Sequence, residues 1–522
     1  MRLADLLPDH LISKSHRDLI VFGVTDDSRE VRFGFMFCAS SRTLAGGSTY
    51  CAQAAARGAQ VVIVPDGTSD DQLGLSEFEK SKVLVIRHPK VQSLYAQLVA
   101  HFHPGRPAVL AAVTGTNGKS STVSFVRDLW TYAGHKALSL GTLGLRSTGT
   151  LHTNVESSFT TFDAKSTQLI VSSVASYASH LALEASSHGL DQGRLDGLEF
   201  DAAAFTNLTQ DHLDYHGTME SYFSAKLRLF TERLKSDGIA VVNLDDKHGA
   251  VIARAVRDRG GRVVTFSASG AAADMTLLWR SATERGQILL VSLFGETHEI
   301  QAPVAGAFQA QNILAAIGLA VATGVDVRSA VQGAERLESV TGRLERAALL
   351  KNGAAVYVDF AHTPDALRNV LLSLRPHVRK GSRLHVLFGC GGERDATKRP
   401  IMGKIASQLA DVVLITDDNP RSESPLEIRT AILAAAPGAR DAGERRGAIQ
   451  SALSALKSGD LLVIAGKGHE DYQILGADAY PSHDLESLAR TFKVPFSDTR
   501  IVRELAFTLD LAQEDSQIQT AA

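Results

Sequence analysis

The run Thr114-Gly115-Thr116-Asn117-Gly118-Lys119-Ser120 has the residue types and spacing of a phosphate-binding loop. Its two glycines let the backbone close tightly around an anion, Lys119 adds a point charge, and the Ser120 hydroxyl can hold Mg²⁺. Upstream, Ala108 to Val113 is apolar without interruption, the pattern of a strand buried on both faces of a parallel sheet. Downstream, Val123, Val126, Leu129 and Trp130 recur at helical spacing. The loop therefore opens onto a helix N-terminus, where free N–H groups and the dipole favour phosphate. The longer form G-x-x-x-x-G-K-S/T would place its first glycine at Val113, so this is the shorter T-G-T-N-G-K-S form. The strand, loop and helix together predict an ATP-using enzyme; the bland alternative is a Gly-rich turn carrying an incidental lysine.

A second stretch, Phe205 to Gly217, sets polar and imidazole groups directly after an apolar run, as a metal and phosphate rim requires. His212 and His216 stand four apart and invite a zinc reading. The first histidine has no glutamate beside it, which weakens that reading, and surface loop histidines are the plain alternative.

These residues need elements to position them. The chain has 522 residues, too many for one core, and three α/β domains are expected. Residues 1–105 mix short strands (Leu19–Val24, Gln60–Val64, Lys82–Ile86) with a helix over Tyr50–Arg57. The run His101 to Pro107, with two prolines and a glycine, marks a linker. Over 106–339 strands and helices alternate, which builds a parallel sheet covered on both faces. Strands over Leu181–Ala185, Ala202–Asn207 and Ile239–Asn243 would bring Gly115, Glu184, Asn207 and Asn243 to one rim, at the carboxyl ends of the strands. Residues 270–302 read as shorter, antiparallel strands. The alternation restarts over 340–522, with strands at Ala354–Asp359, Leu384–Phe388, Val412–Thr416 and Asp460–Ala465. A frayed tail is expected after about residue 508.

Bulk composition excludes several classes. Lys+Arg 54 against Asp+Glu 57 gives a net charge of −3, so no nucleic-acid partner is called for. Three cysteines in so long a chain make a disulfide framework improbable, and no C-x-x-C suggests zinc. No apolar window is long enough to cross a bilayer, and Met1 to Asp9 lack the apolar core of a secretion signal. A cytoplasmic monomer is the expectation.

The motifs T-G-T-N-G-K, E-A-S-S-H-G-L, T-N-L-T-Q-D-H-L-D-Y-H-G and A-K-L-R-L-F, in this order and spacing, resemble the Mur ligases of peptidoglycan synthesis. Within that family the chain is most similar to members that add meso-2,6-diaminopimelate to UDP-N-acetylmuramoyl-L-alanyl-D-glutamate. The resemblance implies an N-terminal UDP-sugar-binding domain, a central P-loop parallel-sheet ATPase domain and a C-terminal Rossmann-like α/β domain that binds the amino acid. It also implies an acyl phosphate, made from a substrate carboxylate and the ATP γ-phosphate and then displaced by an amine.

Residue by residue, the resemblance implies that Thr114 to Ser120 cradle ATP, with Lys119 on the β/γ-phosphates. Ser120, Glu184 and His212 would hold Mg²⁺. Lys226 matches the family lysine carbamylated by CO₂, which turns a cation into an anionic oxygen ligand. Asn312 matches an adenine contact, Arg343 a phosphate-side arginine and Asp359 a ribose contact. Ser28, Thr160, Thr161, Ser186, Gln192 and Arg194 match contacts of the nucleotide-sugar peptide. Arg394, Asp418, Asn419, Pro420, Arg421, Gly466 and Glu470 match the diaminopimelate positions, the D-N-P-R form being the family's diaminopimelate signature. An arginine fork there suits the distal carboxylate that lysine lacks.

The chain departs from the family pattern at the nucleotide-sugar end. The usual glycine- and acid-rich loop is present only as Leu44 to Tyr50, Phe159 and Phe162 replace polar and proline residues, Gln309 replaces an asparagine, and Thr341 a proline. A paralogue with a related acyl acceptor, a folylpolyglutamate- or cyanophycin-type ligase and a catalytically silent nucleotide-binding protein are the rival readings. D-N-P-R with G-K-G-H-E argues against the second, and the intact set Lys119, Glu184, His212 and Lys226 against the third.

Overall fold

A computed structural model describes residues 1–40, 50–148, 160–283, 286–476 and 491–521. Residues 44–49 of the N-terminal glycine loop and Phe159 lie outside them. The chain divides into two compact units: Met1–Thr276 with Leu293–Gly295 and Asn312–Gly333, and Leu277–Ser292 with Glu296–Gln311 and Ala334–Ala522.

The first unit holds a parallel four-stranded sheet and the larger part of a second. The four strands, in order, are Gly23–Thr25, Phe35–Cys38, Val61–Pro65 and Leu84–His88. The expected strand over Leu19–Val24 is shorter. Its first half meets the N-terminus instead, through an isolated bridge from Ile20 to Arg2 and a bond from the Val21 N–H to the Met1 carbonyl.

In the second sheet Leu234–Asn243, Phe200–Phe205, Val109–Thr114, His180–Glu184 and Ala137–Gly141 are parallel neighbours in that order. The uninterrupted apolar run of Val109–Thr114 fits this central place, where both faces of a strand are covered. Helix Lys119–Tyr132 packs on the sheet through Val123, Phe125, Val126, Leu129 and Trp130, all buried. Trp130 keeps its polar atom paired by donating to Thr323 Oγ1 at 2.8 Å.

The second unit is built on a six-stranded sheet ordered Glu345–Leu349, Ala355–Asp359, Leu461–Ala465, Leu384–Phe388, Val412–Thr416 and Arg440–Gly443. The pairs are parallel except for the antiparallel edge strand Glu345–Leu349. Parallel strands share one carboxyl edge, so the segments after Asp359, Phe388, Thr416 and Ala465 emerge on the same side. Those segments carry Arg394, Asp418 to Arg421, and Gly466 to Glu470. Helix Asp498–Ala521 runs on where a frayed tail was expected. The run has neither glycine nor proline, and its Ala, Leu, Gln and Glu residues are strong helix formers.

Arg445 ties this edge together from below. It is wholly buried, as is Asp498. Its Nε and Nη2 donate to the two Asp498 oxygens at 2.8 and 2.7 Å. Nη1 and Nη2 also reach the carbonyls of Asp417 and Ala465, at 3.2 and 3.0 Å, where two strands end. Removing one partner of such a pair leaves the other charge buried and uncompensated. Asp498→Ala is therefore expected to cost about 3–5 kcal/mol, read as a lowered midpoint of urea or thermal unfolding. Glu504→Ala, which breaks the exposed Arg446–Glu504 pair, should cost less than about 1 kcal/mol.

Candidate active site

The glycines of the phosphate loop are dictated by close approach. Gly115 has φ 152° and Gly118 φ 87°. A Cβ on Gly115 would stand 1.9 Å from Thr206 Oγ1, and one on Gly118 2.3 Å from Asn312 Oδ1. No side chain fits either place.

The loop is held by groups brought from the neighbouring strands. Asn207 accepts from the Asn117 N–H through Oδ1 at 2.9 Å and from the Thr116 N–H through its carbonyl at 2.8 Å. Thr206 Oγ1 donates to the Asn117 carbonyl at 2.6 Å, and Asn243 Nδ2 to the Thr206 carbonyl at 2.6 Å. The expected rim is thus real for Gly115, Asn207 and Asn243, and the two asparagines act as its braces. Thr116 Oγ1 adds a link to Tyr222 Oη at 3.1 Å and to the Thr209 carbonyl at 3.1 Å.

Two lysine Nζ atoms converge on one loop oxygen. Lys119 Nζ donates to the carbonyls of Gly115 and Thr116, each at 2.9 Å. Lys226 Nζ donates to the same Gly115 carbonyl at 2.9 Å, from helix Met219–Arg228. Lys226 is 1% exposed and lies 4.5 Å from the centre of the Tyr222 ring. Burial, with the Lys119 charge adding to it, pushes the Lys226 amine well below the ordinary lysine range. The same burial raises the Tyr222 hydroxyl to about 12.

Beside them stands an aromatic and imidazole cluster. His188 meets His212 edge-on at 4.7 Å between ring centres, Tyr215 at 4.3 Å and His216 at 5.5 Å. His212 sits at φ 52°, ahead of the short helix Leu213–His216. Burial lowers its imidazole, Asp211 opposes that, and Lys119 and Lys226 lower it further. Its ring is therefore held neutral, with a lone pair to offer. Among the described residues, no group of three or more His, Cys, Asp or Glu side chains stands ready to hold a metal.

On the other side of the loop strand, Glu184 ends its own strand and is pinned by Thr142. Oε1 accepts from the Thr142 N–H at 2.9 Å, and Oε2 from its hydroxyl at 3.2 Å. Thr142 Oγ1 also lies 3.2 Å from Thr160 Oγ1. Thr161 Oγ1 donates to the Glu184 carbonyl and accepts from the Ser186 N–H, both at 2.9 Å. Ser186 Oγ caps the helix Ser187–Asp191 by accepting from the Gly189 N–H. Arg194 Nη1 donates to the Thr161 carbonyl at 2.6 Å, and its Nε and Nη2 to Gln192 Oε1 at 3.0 and 2.7 Å. These five expected residues, Thr160, Thr161, Ser186, Gln192 and Arg194, form one cluster with Glu184. Ser28 belongs to the four-stranded part, where it is buried and donates to Gln53 Oε1 at 2.6 Å.

In the second unit Asp359 is buried. Its oxygens accept from the N–H groups of Ala361 and Leu344 at 2.8 and 2.7 Å, and burial raises its carboxyl. The Arg343 guanidinium lies 4.6 Å from the centre of the Phe360 ring. Arg421, at φ 53°, donates from Nη1 to the Gly392 carbonyl at 2.8 Å. A Cβ on Gly391 would meet Arg421 Nη1 at 2.9 Å and Arg394 Cγ at 3.7 Å, so both arginines border one short segment. The Pro420 carbonyl accepts from the Glu423 N–H. Asp418 Oδ2 is buried with no hydrogen-bond partner among the described residues, 2.6 Å from where a Gly466 Cβ would lie. Asn419 and Glu470 are bonded to each other at 3.0 Å and to Lys467. Thr142, Tyr222 and Lys467 escaped the sequence analysis. Lys467 alone had a signal, its place inside the quoted G-K-G-H-E run.

This arrangement has known counterparts. The Mur ligase middle domain model matches residues 113–320, and the Mur ligase, glutamate ligase domain model residues 342–468. A protein of Caulobacter vibrioides named UDP-N-acetylmuramoyl-L-alanyl-D-glutamate–2,6-diaminopimelate ligase is 44% identical over 472 residues, covering 90% of this chain and 94% of its own. A protein of Zymomonas mobilis with the same name is 41% identical over 505 residues, covering 96% and 98%. A solved structure titled as this ligase superposes with a TM-score of 0.71 at 30% identity, over 98% of this chain and 99% of its own. A MurF ligase of Thermotoga maritima, solved in complex with ADP, shares the fold at a TM-score of 0.55 and 17% identity, over 95% and 99%. With such likeness along nearly its whole length, the chain belongs to the Mur ligase family.

Proposed function

We propose that this chain is the ATP-dependent ligase that joins meso-2,6-diaminopimelate to UDP-N-acetylmuramoyl-L-alanyl-D-glutamate in peptidoglycan synthesis. A carboxylate oxygen of the glutamyl residue attacks the ATP γ-phosphorus and ADP departs, leaving an acyl phosphate. The diaminopimelate amine then attacks the acyl carbon; phosphate leaves with the former carboxylate oxygen and the amine loses a proton. Both steps move negative charge through a small volume, so fixed positive groups and oriented N–H donors decide the rate. The helix N-terminus at Lys119 and the Lys119 ammonium supply them for the β/γ-phosphates. Asn312 against Gly118 would border the adenine; Arg343 and Asp359 would serve phosphate and ribose.

The observation that carries the ligase reading is the buried amine of Lys226 on the loop carbonyl. A lowered pKa favours the neutral lysine, and only a neutral amine adds CO₂ to give a carbamate and a proton. The donor set then suits Mg²⁺, which prefers hard oxygen ligands: the Ser120 hydroxyl, the Glu184 carboxylate held by Thr142, and carbamate oxygen on Lys226, with the neutral His212 ring beside them. Mg²⁺, when bound, neutralises phosphoryl charge. Ser28, Thr160, Thr161, Ser186, Gln192 and Arg194 would take the nucleotide-sugar peptide. Three buried free cysteines support a cytoplasmic setting. Among the described residues no helix is long and apolar enough to cross a membrane.

Phosphate release from the purified chain, with ATP, the nucleotide-sugar dipeptide and either diaminopimelate or lysine, tests the reading. Release with diaminopimelate at least ~100-fold above lysine is expected; no release with either amine, or equal release, would refute it. Lys226→Ala should lower kcat by roughly 100-fold or more, with partial recovery in short carboxylates or bicarbonate; a fully active variant contradicts the role. Arg421→Ala should raise the KM for diaminopimelate about 10–100-fold and leave that for ATP within about twofold. An equal rise in both would remove Arg421 from the amino-acid site.

A further inference from the structure

We propose that Lys467 is a positioning residue, a buried ammonium that fixes which atoms of Asn419 and Glu470 meet the incoming diaminopimelate; this rests on the ligase reading above. Lys467 lies between Gly466 at φ 115° and Gly468 at φ 55°. A Cβ on Gly468 would stand 2.7 Å from Phe360 Cβ and 2.8 Å from the Phe360 backbone. The turn carries the lysine side chain inward, and Lys467 is 0% exposed.

The contacts of its head group form a closed triangle. Nζ donates to Asn419 Oδ1 at 3.0 Å and to Glu470 Oε2 at 2.9 Å. Asn419 Nδ2 donates to that same Glu470 oxygen at 3.0 Å. Asn419 Oδ1 accepts a second bond, from the Ile474 N–H at 3.0 Å. The Lys467 head group and the Ile474 N–H both donate, so both hold the amide oxygen of Asn419 in place and turn its NH₂ towards Glu470.

Counting lone pairs and protons gives the consequence. Asn419 Oδ1 has two lone pairs and both are engaged, so Asn419 offers a ligand one N–H and no acceptor. Glu470 Oε2 holds two bonds, and among the described residues no bond reaches Oε1. The loop therefore presents one donor and one carboxylate oxygen in a fixed assignment. A substrate end carrying both a carboxylate and an ammonium satisfies the two together. An ammonium alone leaves the amide N–H without an acceptor, a loss that penalises lysine.

The test compares Lys467→Met, which keeps the stem and removes the head, with Lys467→Gln, which keeps a donor but removes the charge and shortens the reach. The KM values for diaminopimelate, ATP and the nucleotide-sugar dipeptide are measured for each variant, with a thermal melt as control. The expected result is a diaminopimelate KM raised roughly tenfold or more, with the other two within about twofold. A double variant with Glu470→Gln should lose less than the two single losses combined, because part of the Lys467 effect runs through that carboxylate. An unchanged diaminopimelate KM, a parallel rise in all three, or a Lys467→Gln protein without a cooperative melt would each overturn the assignment. Wild-type protein that releases no phosphate with diaminopimelate would instead sink the ligase reading.

Discussion

The Gly115 carbonyl oxygen accepts from two lysines, and most of the central site follows from that one crowded place. Lys119 and Lys226 each reach it at 2.9 Å, and Lys226 does so without contact with water. Two ammonium charges so close in a poorly hydrated place repel strongly, by several kcal/mol even at an effective dielectric near 20. Burial is the larger cause, and with that repulsion it pulls the Lys226 amine well below the ordinary lysine range. That direction favours the neutral amine, the form that the proposed carbamylation of Lys226 requires.

The rest of the first unit keeps that geometry in place. Asn207 and Thr206 bond the loop backbone at Thr116 and Asn117, and Asn243 holds Thr206 by its carbonyl. On the other side of the loop strand Thr142 holds both oxygens of Glu184. The second unit repeats the strategy around a different charge. Arg445 braces two strand ends, and Lys467 bonds Asn419 and Glu470 in the segments that follow them. In both units a buried basic side chain donates to backbone carbonyl or amide oxygen near the carboxyl edge of a parallel sheet.

The sequence announces the loop strand, the turn and the helix because their signals are local: an apolar run, two glycines, then helical spacing. The strands Leu384–Phe388 and Val412–Thr416 were legible for the same reason, and the structure has them at those residues. What holds the loop was less legible. Asn207 bonds Asn117 across 90 positions, and Thr116 meets Tyr222 across 106, so no spacing rule connects them. Thr161, Ser186 and Asn419 were expected as ligand contacts, yet their side chains also carry internal bonds, which only packing reveals. Lys467 reads in sequence as an ordinary loop lysine; its burial depends on Phe360 and Asp418 crowding the glycines beside it.

The proposed chemistry requires Lys226 to be an uncharged amine that takes up CO₂. Carbon-13 NMR of the whole protein in ¹³C-bicarbonate buffer addresses this directly, with Lys226→Ala as the comparison. One carbamate carbon signal present in the wild-type protein and missing from the variant is the predicted result. A wild-type spectrum with no such signal, or one that the variant retains, would contradict it.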